Sequence, residues 1–154
     1  MKENNEETKN KISIGLIISN EDFKKNSIFP VEVIKEILEC PFYLLIFISR
    51  EDVIKISCFP TSTNNIKKVL IHLTEFSPEL VKGISSVLKE MNLSKHILHT
   101  TGLCYEMENC FYETYLVGDS LETNDISVDS IKGKFMNIAK VIEVVVEDIP
   151  IFKK

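Results

Sequence analysis

Three histidines, four cysteines and a few carboxylates are the groups in this chain that could do chemistry, and their spacing limits what they can share. His96, His99 and Cys104 invite a metal reading. They fall on a strand predicted from about Lys95 to Tyr105, where residues three apart point to opposite faces and cannot hold one ion. His72 lies on another strand, so no metal site is expected. Glu106 and Glu108, near a predicted hairpin tip, and Glu113 beyond them read as solvated. With no GxSxG elbow, no HExxH and no phosphate-cradling loop among five glycines, the sequence names no catalytic residue and no cofactor.

The cysteines form no CxxC pair. Cys58 sits in the apolar run Ile54 to Phe59 and reads as core. Cys104 and Cys110 flank a turn centred on Met107, so a hairpin would set them opposite each other. Free thiols are the favoured reading, because cysteines in a reducing compartment stay reduced; a cross-strand disulfide is the alternative.

The loop Thr74, Glu75, Phe76, Ser77 leading into Pro78 and Glu79 is the candidate binding site. Ser77 is a good N-cap, Pro78 suits the first helical position, and helix N-termini attract anions. The plain alternative is a capped helix and nothing more.

The elements that must hold this loop follow from periodicity. From Lys67 to Ile149 the chain reads strand, helix, strand, strand, helix, strand. The strands are Lys68–Thr74, a hairpin of about Lys95–Tyr105 and Cys110–Gly118, and Val141–Asp148. Leu80, Ile84, Val87, Leu88 and Met91 form the stripe of the first helix, and Val128, Ile131, Phe135 and Ile138 that of the second. Leu121 to Asp125 reads as a loop. This order predicts an α+β fold: a ferredoxin-like βαββαβ antiparallel sheet with two helices on one face. The other sheet face, with Leu70, His72, Val145 and tyrosines, reads as open and apolar enough to seek a partner.

Residues 11–65 read as an N-terminal β-α-β-β extension, or as a truncated half of the same plan. Lys11–Ile18 is a buried strand and Asn20–Ile28 a polar connection. Pro30 opens a helix carrying Val31, Ile34, Ile37 and Leu38. Phe42–Ile48 and Val53–Phe59 make a hairpin. Pro60 to Asn65 is the best boundary, leaving 66–150 as the second domain, and residues 1–10 read as a disordered polar tail.

Val69 to Ile149 resembles an ACT domain, a small-molecule-sensing regulatory module of amino-acid metabolism. The resemblance rests on the run Val69 to Asn92, the polar-apolar hairpin and the closing Lys140 to Val146. Phe76-Ser77-Pro78-Glu79 falls on the family's strand–helix junction, with Glu79 where the family has Gly and Phe76 where it has an acidic or amide residue. The resemblance implies a non-catalytic regulatory protein that binds an amino acid or similar metabolite at an interface, works as a homodimer, and uses Thr74, Glu75, Phe76, Ser77 and Glu79. The alternative is an assembly module whose effector site is lost, and a third is an unrecognised enzyme.

Composition narrows the partners. The chain has 154 residues, 44% hydrophobic and 27% charged, with a net charge of −5. Its basic residues are scattered in pairs such as Lys24-Lys25 and Lys67-Lys68, which argues against nucleic acid. No apolar run is long enough to span a bilayer, and the polar start lacks a signal-peptide core, so the expected location is cytoplasmic.

Overall fold

The structure is a computed structural model that describes residues 12–106 and 109–153. The expected tail, and the hairpin tip at Met107 and Glu108, lie outside the described residues. The chain is α+β and divides into two compact units. Of the described residues, one comprises 65–148 with Ile12; the other comprises 13–64 and 149–153.

In the first unit, β4 (Ile66–Leu73), β5 (Ile97–Glu106), β6 (Asn109–Val117) and β7 (Val141–Asp148) form one antiparallel sheet in the order β5-β6-β4-β7. Its helices are α3 (Pro78–Glu90), the short α4 (Asp119–Thr123) and α5 (Val128–Met136). The period-2 pattern of β4 directs Val69, Ile71 and Leu73 to one face, where they share a core with Leu80 and Ile84 of α3 and Phe135 of α5. Both long helices therefore cover the same side of the sheet.

Local chemistry sets the helix ends. Ser77 Oγ accepts the Leu80 N–H at 3.2 Å and Ser127 Oγ the Ser130 N–H at 3.1 Å. At the end of α3, Asn92 adopts φ 58°, the Leu93 N–H reaches the Leu88 carbonyl at 2.8 Å, and the Asn92 N–H reaches that of Lys89 at 3.0 Å. Buried Leu88 and Leu93 complete this left-handed cap. Asp125 ends α4 in the same way, with Ile126 N–H on the Leu121 carbonyl at 2.8 Å. This helix occupies part of the stretch expected to be loop, because Leu121 has core to fill.

The second face of this sheet is not the open surface expected. Leu70 and Phe111 pack with Ile12, and Tyr115 is fully buried. Lys68 lies among them, 2% exposed, at 3.4 Å from Glu113 and 3.2 Å from Glu147. Its ammonium sits 5.6 Å from the centre of the Tyr115 ring, and Glu113 accepts the Ile12 N–H at 2.9 Å.

The second unit has a three-stranded antiparallel sheet, β1 (Ile14–Ser19), β2 (Phe42–Arg50) and β3 (Val53–Thr61), in that order. Residues Asn20–Asn26, read from sequence as a connection, form helix α1. Ser19 caps it by accepting the Asp22 N–H at 3.2 Å, and Phe23 is its one buried anchor. The helix after Pro30 stops early: α2 covers only Val31–Ile34, with Pro30 at its N-cap. Tyr43 explains why the chain turns, since its hydroxyl donates to the Leu38 carbonyl at 3.1 Å and accepts the Cys40 N–H at 3.3 Å. The C-terminal segment returns beside β1, with Phe152 N–H on the Ile17 carbonyl at 2.7 Å.

Candidate functional site

The loop between β4 and α3 meets the turn between α5 and β7 at one end of the sheet. The Thr74 N–H donates to the Lys140 carbonyl at 3.0 Å, and Lys140 adopts φ 75°, left-handed backbone that a non-glycine residue takes at a cost. Between the two segments is a cavity of about 370 Å³ lined by Glu75, Ser77, Glu79, Ile138, Ala139 and Lys140. Lys140 pairs with Glu75, both of them partly exposed.

Of the five residues picked from sequence, Glu75, Ser77 and Glu79 line this cavity. Thr74 holds it together through its backbone. Phe76 turns elsewhere: its ring lies against Gly102 of β5 and is stacked 6.4 Å from Tyr112 of β6. Lys140 was missed, although it directly precedes β7, whose first residue Val141 pairs with Leu73 next to that loop.

The cavity presents both charge signs. Glu75 and Glu79 offer carboxylates to an amine, and Lys140 offers an ammonium to a carboxylate. The helix end adds little to the anion side: Pro78 has no N–H and Ser77 takes that of Leu80, leaving the Glu79 amide at most.

The histidines do not converge among the described residues. His72 Nε2 lies 2.8 Å from Asn109 Oδ1 and the ring stacks on Phe111 at 4.5 Å. His99 Nε2 lies 2.7 Å from Thr101 Oγ1, and burial lowers its pKa against the opposing pull of Glu113. His96 belongs to a 3-10 turn, Ser94–His96, ahead of β5 rather than to the strand predicted for it. No group of three metal-ligating side chains occurs among the described residues.

Cys104 and Cys110 are joined by a disulfide, contrary to the favoured sequence reading of two free thiols. They face each other directly across β5 and β6, so the hairpin register alone brings the sulfurs together. Cys110 is buried and Cys104 exposed. Cys58 is half-buried rather than sealed in core, and desolvation pushes its thiol up to about 11.

The second unit holds a smaller, apolar cavity of about 220 Å³ between the sheet and the α1–α2 connection, lined by Phe23, Phe29, Leu45, Phe47 and Phe152 among others. No helix in the described residues is long and apolar enough to cross a membrane. In comparisons with known proteins, no family model and no curated protein matched this chain.

Proposed function

We propose that this chain is a non-catalytic, ACT-like ligand-sensing protein whose first unit binds an amino acid or similar zwitterionic metabolite. The observation that carries this reading is the cavity at the α3 N-terminus, with Lys140 on one side and Glu75 and Glu79 on the other. A zwitterion would exchange the Lys140–Glu75 ion pair for two of its own, carboxylate to Lys140 and ammonium to glutamate. The strand order β5-β6-β4-β7 with both long helices on one face supports the ferredoxin-like βαββαβ plan. Glu79, where the family carries glycine, biases the site toward the ligand's amine. On this reading the protein is a cytoplasmic homodimer, and a ligand bound where subunits meet shifts the assembly toward the bound state.

A thermal-shift screen against the common amino acids tests this. At least one is expected to raise the melting temperature, and Lys140→Met and Glu79→Gln are each expected to abolish the shift while the protein stays folded. A flat screen on folded protein sinks the reading.

A second reading, an assembly module without an effector, is favoured by the second unit. Twelve large apolar side chains are exposed among the described residues. Eight of them belong to this unit: Ile14, Ile28, Val31, Val33, Leu38, Val53, Ile54 and Ile151. That concentration is the kind of surface that seeks a protein partner. A flat ligand screen beside a stable oligomer would select it.

A further inference from the structure

The Cys104–Cys110 bond lies in line with the candidate site. Cys104 pairs with Cys110, Cys110 with Leu73, and Leu73 with Val141, so one row crosses all four strands at this end of the sheet. The residues next to that row, Thr74 and Lys140, are the two that tie the cavity's walls together. A second contact joins the disulfide to the same loop. Gly102, two residues before Cys104 and on the same face of β5, supports the ring of Phe76, and Tyr112, two residues after Cys110, stacks on it. Phe76 is flanked by Glu75 and Ser77, both of which line the cavity.

The strand under this ring is an edge. Among the described residues β5 pairs with β6 alone, and its register slips between Cys104 and Glu106. The covalent link therefore holds the last regular pair of a strand that lies at the edge of the sheet formed by the described residues. Edge strands with few packed contacts open first in local fluctuations.

We propose that the Cys104–Cys110 disulfide is a redox switch on the Glu75–Ser77 loop: oxidised, it fixes the β5 edge beneath Phe76 and keeps the cavity formed; reduced, it lets edge and loop loosen together. The exchange partner is a thiol or dithiol reductant. Its thiolate attacks Sγ of Cys104, the exposed residue of the pair, forming a mixed disulfide as the bond to Cys110 breaks. The electron pair leaves on Cys110 Sγ, which takes a proton from solvent. A second thiolate then attacks the reductant's sulfur and frees the Cys104 thiolate, which is also protonated. Two thiols are oxidised to one disulfide as the protein disulfide becomes two thiols. Attack falls on Cys104 because Cys110 is buried beside the core. In a reducing compartment such bonds are transient and sensing rather than structural. The consequence for ligand affinity rests on the zwitterion-binding reading above; the coupling between bond and loop does not.

The experiment is native-state hydrogen exchange, read by mass, on the full chain before and after complete reduction with dithiothreitol, with the two forms verified by alkylation. Reduction is expected to speed exchange about tenfold or more over Ile97–Cys104 and Leu73–Ser77. It is expected to leave β3 in the second unit unchanged. The Cys104→Ser variant is expected to exchange like the reduced form under both conditions. Unchanged exchange over Leu73–Ser77 in fully reduced protein overturns the proposal. So does a bond that dithiothreitol cannot open without unfolding the chain, or a pair of thiols that no oxidant closes. None of these readouts needs a ligand, so a flat amino-acid screen would remove the sensing function while leaving the switch to stand or fall by itself. Where an amino acid does bind, its affinity is expected to fall in the reduced form, and equal affinity in both forms limits the switch to the loop's motion.

Discussion

The ring of Phe76 lies over Gly102 so closely that a Cβ at that glycine would overlap it. Gly102 has no positive φ. It is required there by space rather than by backbone conformation, because the strand must leave room for an aromatic ring from the adjoining loop.

Gly102→Ala is therefore expected to destabilise the protein by about 1–3 kcal/mol through overpacking, and toward the low end because Phe76 is partly exposed and can shift. Chemical denaturation measures this. Adding Phe76→Ala should recover part of the loss, and a double-mutant cycle with strictly additive effects would show that the two positions are not coupled.

Lys68 carries a second expectation. It is buried and pairs with Glu113 and Glu147, so Lys68→Met removes an ammonium from beside one fully buried carboxylate and one partly exposed one. A loss of about 3–5 kcal/mol is expected from breaking one side of a buried charge cluster. Lys68→Met with Glu113→Leu should be milder than the single substitution, as read by urea unfolding.

His99 gives the pH dependence a sign. Desolvation holds its folded pKa below the usual 6.5, so the unfolded chain binds the proton more readily. Its contribution is present above 6.5 and is lost as pH falls toward the folded value. Melting temperature measured from pH 7.5 down to 5.5 should fall, and His99→Gln should flatten that part of the curve.

The Cys58 thiol, with a pKa near 11, stays protonated at pH 8. Iodoacetamide on the native protein should modify it slowly, and modification should accelerate sharply once the chain is unfolded. Fast labelling in the folded state, followed by peptide mass, would contradict its burial.

Helix capping supplies the last test. Ser127 Oγ accepts the Ser130 N–H at the start of α5, and Ser127→Ala should cost about 1 kcal/mol in thermal or chemical unfolding. Ser127→Asp should restore most of it, since either side chain can accept that bond.

Much of this protein was legible from periodicity and punctuation. The alternation of Val69, Ile71 and Leu73, the Ser77-Pro78 helix start and the bounds of Val141–Asp148 are local features, and local sterics and hydrogen bonding decide them. The α1 helix escaped notice because seven polar-rich residues carry one apolar anchor, Phe23, too little for a periodic signal. The α2 helix stopped short because the Tyr43 hydroxyl, from a strand further along, binds the backbone at Leu38 and Cys40.

Residue types alone gave the candidate loop its Ser77, Glu75 and Glu79. Only tertiary structure decided that Lys140 stands opposite them, that Phe76 turns onto Gly102, and that Cys104 and Cys110 bond. It also decided that Lys68 and Glu113 are buried on a face whose alternation had suggested an exposed surface. The physical reason is the same throughout: periodicity records which side of an element a residue takes, but what lies on that side depends on strand order and register, which are set by pairings between residues far apart in the chain.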